Sequence, residues 1–511
     1  MRKSVLLLTI LGWASVTLAA GNAKHVVVVV WDGMRPDFIS AEHTPMLARL
    51  AREGVMFENH HAVYCSATEV NGAALATGDY PQNSGILANN DFRPRLNPVK
   101  PVGMQSRAVV EKGDAMSGGH HVQRPTVAEI LQAAGKRTVI AGAKEVALLL
   151  DRRPRGNFAN VNLFAGKSLP PDFAKQFSLT AGKFPDEAST NSDDVLINAP
   201  RDEWTRRALL ESLWSNGVPE FSLLWLSEPD FSQHAAGPGS AKALAALESS
   251  DRQLAAVLTD LERRGLRNKT DVFVVSDHGF STIQKAVDVC EELKNAGFRS
   301  QREFEVLPEN GDVLVIGQGG SVLFYVVGHE KIVTARLVEF LQRQEYSGVI
   351  FTREKFSGTF ALAEGKIDAA NPPDVILSMR WSAEKSGNGT PGVFWSDGNR
   401  KPGSGNHASL SRFDLHNTLV ACGPDLKKNF SDTLPTGNVD IAPTILWLLG
   451  VKQKTPMDGR VLGEAMSVAA PGIKLRSARK LEAYNGDWHQ YLQASRVNDT
   501  VYLDEGNGGV E

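Results

Sequence analysis

The chain has 511 residues, of which 42% are hydrophobic and 22% charged, and its 55 Lys and Arg against 58 Asp and Glu give a net charge of −3. This composition excludes an intrinsically disordered chain, and the lack of a basic excess argues against a nucleic-acid-binding surface. The length fits one large α/β domain with insertions or several smaller domains, and three scattered cysteines exclude a disulfide framework.

Residues 1–20 have the pattern of a secretory signal peptide. They begin with Arg2 and Lys3, continue as an apolar run over residues 5–16, and end with the small residues Ala19 and Ala20. The apolar run is shorter than a bilayer-spanning helix requires, although an uncleaved membrane anchor is the alternative. No later stretch is long and apolar enough to span a membrane. The sequence therefore predicts a secreted or periplasmic protein with no membrane span after signal cleavage.

From residue 25 onwards, predicted strands and helices alternate along the chain. The β-branched run over residues 25–31 is typical of a strand buried on both faces of a parallel sheet. A helix is predicted to start at Thr44-Pro45 and to end at Gly54. Thr126 and Glu129 have capping-box spacing before another helix, which a strand over 137–143 follows.

The same alternation returns after residue 220. Strands are predicted over 221–226 and 271–276, with an amphipathic helix over 241–264 between them. In open α/β sheets, ligands bind outside the carboxyl ends of the strands. Three acidic residues follow such strand ends and are expected to meet at one edge of the sheet: Asp32, Asp230 and Asp277.

The pattern changes between about residues 281 and 403. Short helices are predicted over 287–297 and 332–344, an alternating segment lies at 313–327, and a run rich in Gly, Pro and Asn starts at residue 371. We interpret this region as an inserted subdomain or cap. The predicted organisation is a signal peptide (1–20), the first part of the core (21–280), the insertion (281–403), the second part of the core (404–466) and a C-terminal hairpin extension (467–511).

Three carboxylates and three imidazoles lie at strand ends or in glycine-rich loops. Carboxylate oxygen and imidazole nitrogen are ligands that zinc-like divalent ions accept, and six of them suffice for two ions with room for a substrate. One Asp–His pair would be weak support, because a lone histidine after a strand is usually a hydrogen-bonded surface residue. The predicted ligands are Asp32, Asp230, His234, Asp277, His278 and His407.

An ordered series of motifs carries a resemblance to a known family. The motifs are Asp32-Gly33, Thr68 at a helix start, Ala76-Thr-Gly-x-Tyr-Pro81, Gly85-Ile-x-x-Asn89, Asp230-x-x-x-His234, Ser276-Asp-His-Gly279 and Gly405-x-His407. Together they resemble the type I phosphodiesterase and nucleotide pyrophosphatase family of the alkaline phosphatase superfamily, over about residues 25–465. The resemblance implies an alkaline-phosphatase-like α/β sandwich, with a mostly parallel central sheet flanked by helices and an inserted subdomain.

The resemblance also implies two zinc ions and a role for each ligand. One ion is expected on Asp230, His234 and His407, and the other on Asp32, Asp277 and His278. The nucleophile Thr68 is expected to bridge towards the second ion.

The residues around Thr68 support this role independently. Residues 69–77 have a helical pattern that ends at Gly78, which predicts Thr68 at an N-cap, where negative charge is stabilised; a purely structural N-cap is the alternative. Metal coordination is a recognised way to activate a hydroxyl nucleophile. Asn89 matches the family asparagine that donates to a phosphoryl oxygen, and Asn90 is the alternative donor.

The sequence departs from the family at the position after the nucleophile. Glu69 replaces an aromatic residue that forms one side of a base slot, which puts nucleotide specificity in doubt and favours a cationic or hydroxyl-rich leaving group. A solvent-facing Glu69 is the alternative.

Lys144 matches the use of lysines in phosphonoacetate hydrolase to bind a substrate carboxylate, with a solvated loop lysine as the alternative. Cys65 lacks the Pro and Arg that follow the sulfatase nucleophile, which argues against a sulfatase.

These patterns predict a secreted dizinc phosphoester hydrolase of the phosphodiesterase and nucleotide pyrophosphatase type. It is expected to act on a small-molecule phosphoester, a diester in preference to a monoester, through a phosphorylated Thr68. A phosphonate or phosphomonoester hydrolase of the same superfamily is the alternative. A non-catalytic anion-binding protein is a third hypothesis.

Overall fold

A computed structural model of the protein describes residues 21–153, 159–186 and 198–510. The predicted signal peptide, residues 1–20, lies outside these described residues. Among the described helices, none is both long and apolar enough to cross a membrane.

A nine-stranded sheet forms the centre of the molecule. Four adjacent strands at its centre run parallel to one another, and antiparallel pairs occur only towards the two edges of this sheet. In spatial order the strands are Phe430–Asp432, Val55–Phe57, Leu419–Cys422, Thr270–Val275, His25–Trp31, Phe221–Leu226, Thr138–Gly142, Val161–Phe164 and Lys167–Leu169. The predicted mostly parallel α/β core is therefore confirmed.

Helices cover both faces of the central sheet, as the continuous valine run of its middle strand requires. Val26, Val28 and Val30 face one hydrophobic cluster, and Val27 and Val29 face another. The first cluster includes residues of Thr68–Thr77, Val127–Ala133, Ala147–Leu150 and Ile441–Leu448. The second includes residues of Pro45–Glu53, Pro171–Ala181, Ala199–Arg207 and Ala241–Arg263. Burial on both faces explains why the run reads as uninterrupted valine.

The remaining described α-helices are shorter or lie outside these two layers. They are Pro81–Ser84, Arg107–Ser117, Asp230–Ala236, Val289–Asn295, Lys331–Leu341 and Arg412–Leu415.

The chain between residues 281 and 403 builds sheets of its own. A six-stranded sheet has the order Ser300–Gln301, Val313–Gly317, Ser321–Val326, Val375–Met379, Ser347–Thr352 and Phe360–Ala361. A four-stranded sheet joins this region to the core, in the order Trp381–Lys385, Pro391–Asp397, Ser281–Val287 and Gly405–Asn406. The last of these strands immediately precedes His407, so the insertion is directly connected to a predicted metal ligand.

The C-terminal segment forms three antiparallel strands: Arg476–Asn485, Trp488–Val497 and Thr500–Val510. The sequence pattern predicted a hairpin here, and its two strands are the second and third of this sheet. The first strand escaped prediction because its mostly exposed residues show no apolar alternation. The sheet packs on the insertion, where Gln490 accepts the Ile350 N–H at 2.8 Å.

Two further pairs of short strands lie near the functional region. His60–His61 pairs with Thr436–Gly437, and Asn90–Asp91 pairs with Val102–Gly103.

Candidate metal centre

Four adjacent parallel strands of the central sheet end at the same edge, and the residues that follow them converge there. Asp277, Asp32 and Lys144 come from the loops after Thr270–Val275, His25–Trp31 and Thr138–Gly142, respectively, and Asp230 begins the helix that follows Phe221–Leu226. The Asp230 backbone N–H donates to the Asp32 carbonyl at 3.0 Å, which joins two of these segments directly.

The structure brings the six predicted ligands together as two triads. Asp32, Asp277 and His278 form the first triad, and Asp230, His234 and His407 form the second. Within each triad, one candidate ligand atom from each residue lies within 4.8 Å of the others. The rings of His278 and His407 stack at 3.7 Å, so the two triads are adjacent.

Distances within the first triad suit a tetrahedral ion. His278 Nε2 lies 3.3 Å from Asp277 Oδ2 and 3.6 Å from Asp32 Oδ1. Zinc bonds of about 2.0–2.1 Å in a tetrahedron place neighbouring ligand atoms roughly 3.3 Å apart. The second triad has similar spacing, with His234 Nε2 3.3 Å and His407 Nε2 3.7 Å from Asp230 Oδ1.

Backbone carbonyls fix the orientation of all three histidines. The contacts of their Nδ1 atoms are His234 to Gly405 at 3.0 Å, His278 to Gly279 at 2.8 Å and His407 to Ser66 at 2.9 Å. Because a carbonyl oxygen only accepts, each Nδ1 carries the proton and each Nε2 offers a lone pair to its triad. This is the usual outer contact of a metal-binding histidine.

In each carboxylate of the triads, one oxygen contacts a donor group of the protein and the other oxygen has no hydrogen-bond donor among the described residues. Asp277 Oδ1 accepts the Gly33 N–H at 3.0 Å. Asp32 Oδ1, Asp230 Oδ1 and Asp277 Oδ2 are buried and receive no hydrogen bond from the described residues. A buried, unpaired carboxylate oxygen is costly. These three oxygens face the histidine Nε2 atoms, so the donor set fits divalent cations in both triads.

Gly33 explains the Asp-Gly motif. Its φ of +76° favours glycine, and a Cβ there would lie 3.0 Å from the Phe280 ring and 3.1 Å from Gln233. The turn therefore requires glycine in order to present its N–H to Asp277.

A third cluster shows what a satisfied His–Asp group looks like. His61, His416 and Asp504 also have ligand atoms close together. Here both Asp504 oxygens accept from Ser495 Oγ, at 3.1 and 2.9 Å, and Asp504 Oδ1 also lies 3.0 Å from His61 Nε2. This cluster is a hydrogen-bonded connection between the C-terminal sheet and the core.

Burial and charge set the protonation of the ligands. Burial, together with neighbouring His278 and His234, holds the pKa of His407 well below its usual range, so its imidazole is neutral. Burial opposes ionisation of Asp230, but the charge of Lys144 and contacts with His234 hold the pKa of Asp230 well below its ordinary value. Burial raises the pKa of Asp277 to about 7, and a bound cation would reverse that direction.

Thr68 lies beside the first triad. It is the first residue of the helix Thr68–Thr77, its Oγ1 is 3.2 Å from His278 Nε2, and only 3% of the residue is exposed. The predicted N-cap position was wrong by one residue, because the helix already includes Thr68 and Ala67 is its N-cap. Thr68 still lies at the positive end of the helix dipole.

Asn89 is anchored to the residue after Thr68. Its Oδ1 accepts the Glu69 N–H at 3.0 Å, which leaves its NH₂ group available to donate. The Asn90 side chain is exposed, and its backbone binds Gln318 of the insertion. Both asparagines line a cleft of about 630 Å³, together with His234 and His407.

The two departures from the family pattern are both buried at the site. Glu69 is 3% exposed, its Oε2 receives no hydrogen bond from the described residues, and burial raises its pKa to about 7. The Lys144 side chain is 14% exposed and its Nζ lies 2.8 Å from Asp32 Oδ2 and 3.0 Å from Asp230 Oδ2. The solvent-facing alternatives for both residues are therefore wrong.

Sequence reasoning missed two supporting residues. Trp225 donates from Nε1 to Asp32 Oδ2 at 2.8 Å while packing in the core. Gln318 holds the Asn89–Asn90 loop from the insertion. Trp225 lies within the apolar run of the predicted strand over 221–226, which indicates only core packing, and Gln318 lies in a Gly-Gln-Gly-Gly segment with no functional pattern.

The fold and the two triads define an α/β protein with a candidate two-metal centre at the carboxyl edge of its sheet. The family model for type I phosphodiesterase / nucleotide pyrophosphatase matches residues 26–398. The chain belongs to this family, as its motifs predicted.

Individual relatives are distant. The venom phosphodiesterase of Macrovipera lebetinus is 24% identical over 260 residues, which cover 50% of this chain and 26% of the relative. Human ectonucleotide pyrophosphatase/phosphodiesterase family member 1 is 24% identical over 255 residues, covering 48% of this chain and 22% of the relative. The match thus spans only about a quarter of the length of these curated relatives.

Solved structures show the same fold. Human ectonucleotide pyrophosphatase / phosphodiesterase 5 has a TM-score of 0.61 at 17% identity, and the match covers 87% of this chain and 100% of that one. An inactive variant of the murine protein, in complex with AMP, has a TM-score of 0.60 at 17% identity with the same coverage. The predicted alkaline-phosphatase-like α/β fold is therefore confirmed.

Proposed function

We propose that the protein is a secreted dizinc hydrolase of small-molecule phosphoesters, with Thr68 as its nucleophile. One observation carries the proposal. Three buried carboxylate oxygens without hydrogen bonds face three oriented Nε2 atoms, beside a threonine hydroxyl at the start of a helix. Asp230, His234 and His407 would hold one Zn²⁺, and Asp32, Asp277 and His278 the other. Thr68 would bridge towards the second ion.

The reaction is a double displacement at phosphorus. Bound zinc ions would supply Lewis-acid stabilisation of the phosphoryl oxygens and lower the pKa of the Thr68 hydroxyl. Thr68 Oγ1, after giving its proton to solvent, attacks phosphorus in line, and the ester oxygen leaves with the electrons of the broken P–O bond and takes up a proton from water. Water then cleaves the phospho-threonine and restores the hydroxyl. The free NH₂ group of Asn89 donates to a phosphoryl oxygen as charge develops.

Family membership supports phosphodiester chemistry, since the relatives are named as phosphodiesterases and nucleotide pyrophosphatases. The names of the venom and ecto-enzymes also support export of this chain. The buried Glu69 beside Thr68 favours substrates that carry little negative charge beyond the reacting phosphate.

The alternatives have less support. A phosphonoacetate hydrolase needs a lysine free to bind the substrate carboxylate, whereas Lys144 already contacts two protein carboxylates. An anion-binding protein without activity has no need for the complete set of six ligands and a nucleophile.

The test compares Thr68→Ala with the wild type on a bis-aryl phosphate. We expect turnover to fall by at least about 10³-fold while zinc content stays near two ions per chain. Thr77→Ala is the matched control, because Thr77 lies in the same helix with its hydroxyl bound to the Ala73 carbonyl, away from the triads. Wild-type turnover by the Thr68 variant would refute the assignment of Thr68 as the nucleophile. A wild-type protein that binds no zinc would favour the anion-binding hypothesis.

A further inference from the structure

Lys144 lies between the two triads. Its Nζ is 2.8 Å from Asp32 Oδ2, in the first triad, and 3.0 Å from Asp230 Oδ2, in the second. The residue follows the strand Thr138–Gly142, in the same row of strand ends as both aspartates. One ammonium group therefore contacts a predicted ligand of each metal ion.

The contacted oxygens are the ones turned away from the histidines. Asp32 and Asp230 face the histidine Nε2 atoms with Oδ1 and face Lys144 with Oδ2. Asp32 Oδ2 has a second donor in the Trp225 indole at 2.8 Å. Within the described chain, Lys144 is the only hydrogen-bond donor to Asp230 Oδ2. Lys144 therefore matters more for the orientation of the Asp230 carboxylate than for that of Asp32.

We propose that Lys144 is a positioning residue that orients one carboxylate ligand in each triad and so supports both metal ions, instead of binding substrate. This inference rests on the proposed two-metal site. Without the ammonium group, three buried carboxylates repel one another across the site, and Asp230 loses the contact that fixes its plane. Outer contacts of this kind typically contribute 10–100-fold to metal affinity.

The experiment measures zinc affinity of the full chain by chelator competition, and zinc stoichiometry by elemental analysis. Lys144→Met keeps the apolar stem but removes the charge and the donors. We expect both ions to bind about 10–100-fold more weakly. Lys167→Met is the matched control, because Lys167 is half exposed and contacts Glu145 at 2.6 Å, and it should bind zinc as the wild type does.

A second comparison tests the bridging geometry. Trp225→Phe removes a donor to Asp32 only, so it should weaken one ion and leave the other within about twofold of the wild type. Lys144→Gln, which retains an N–H donor without the charge, serves if the Met variant does not fold, and it should also weaken both ions.

The outcomes separate this inference from the proposed function. At saturating zinc, a positioning role predicts that Lys144→Met keeps a wild-type KM. Unchanged or tighter zinc binding would overturn the inference, as would a raised KM at full zinc occupancy, which is the signature of a substrate-binding lysine. If the wild type itself binds no zinc, the proposed two-metal function has failed instead.

Discussion

Gln318 is expected to control turnover from the inserted region, about 230 positions along the chain from the loop that it holds. Its Oε1 accepts the backbone N–H groups of Asn89 and Asn90 at 3.2 and 3.3 Å, and its Nε2 donates to the Asn90 carbonyl at 2.8 Å. Gln318→Met removes all three contacts at nearly constant volume. We expect Asn89 to lose its alignment beside Thr68.

The size of the effect follows from those contacts. Neutral hydrogen bonds contribute about 0.5–1.5 kcal/mol each, and water replaces part of the loss at exposed Asn90, so the free energy of unfolding should fall by only about 1–2 kcal/mol. Removing one oxyanion donor costs about 10²–10³ in kcat. Because misalignment of Asn89 is partial, kcat should fall roughly tenfold to a hundredfold, with zinc content unchanged.

A double-mutant cycle tests whether Gln318 acts through Asn89. The measurement is kcat and KM on a bis-aryl phosphate for Gln318→Met, Asn89→Ala and the double variant. If Gln318 acts through Asn89, Gln318→Met lowers kcat little further once Asn89 is alanine. Gln342→Met is the control, since Gln342 is a glutamine of the same region that is buried and donates to the Ser357 carbonyl. A wild-type kcat for Gln318→Met, or fully additive losses in the double variant, would refute the role.

Two other predictions concern buried carboxylates. Burial raises the pKa of Asp271 to about 8, so between about pH 4 and pH 8 the folded state holds a proton that the unfolded state has released, and stability should fall as pH rises through that window. Asp271→Asn should remove up to about 5 kcal/mol of this change in the free energy of unfolding. Urea-unfolding curves that are identical for variant and wild type at both pH 5 and pH 8.5 would contradict the prediction. Glu69→Gln should raise kcat/KM for a nucleoside triphosphate relative to an aryl diester by up to about tenfold, because it removes a buried negative charge beside the phosphate site. An unchanged ratio would show that Glu69 does not face the substrate.

The sequence predicted the middle of the fold better than its edges. The strand His25–Trp31 and the strand Phe221–Leu226 match their predicted bounds, because burial on both faces demands long apolar runs. Val55–Phe57 and Phe430–Asp432 are three residues long, which is too short for any periodicity to appear. They exist because Leu419–Cys422 and its neighbours supply hydrogen-bonding partners from distant parts of the chain.

The site shows the same division between local pattern and distant contact. The six ligand positions follow strand ends or stand in short motifs, so their types and order were visible in the sequence. The contacts of Lys144 were not visible in the sequence, since nothing near Ala143 indicates which carboxylates follow the neighbouring strands of the sheet. Gln318 was equally hidden, because its partners Asn89 and Asn90 come from the other side of the insertion boundary.

The charges at the site bear on the choice between diester and monoester. In the proposed dizinc site, the three triad aspartates and a Thr68 alkoxide would balance two zinc ions, and Lys144 and an ionised Glu69 would cancel each other beside them. The loaded site therefore has no large positive excess to compensate a second charge on phosphate. A phosphodiester brings one negative charge and a monoester brings two, and in a buried site each uncompensated charge is costly. This balance favours diesters, and it gives the Lys144 charge a second role beside the proposed positioning of the aspartates.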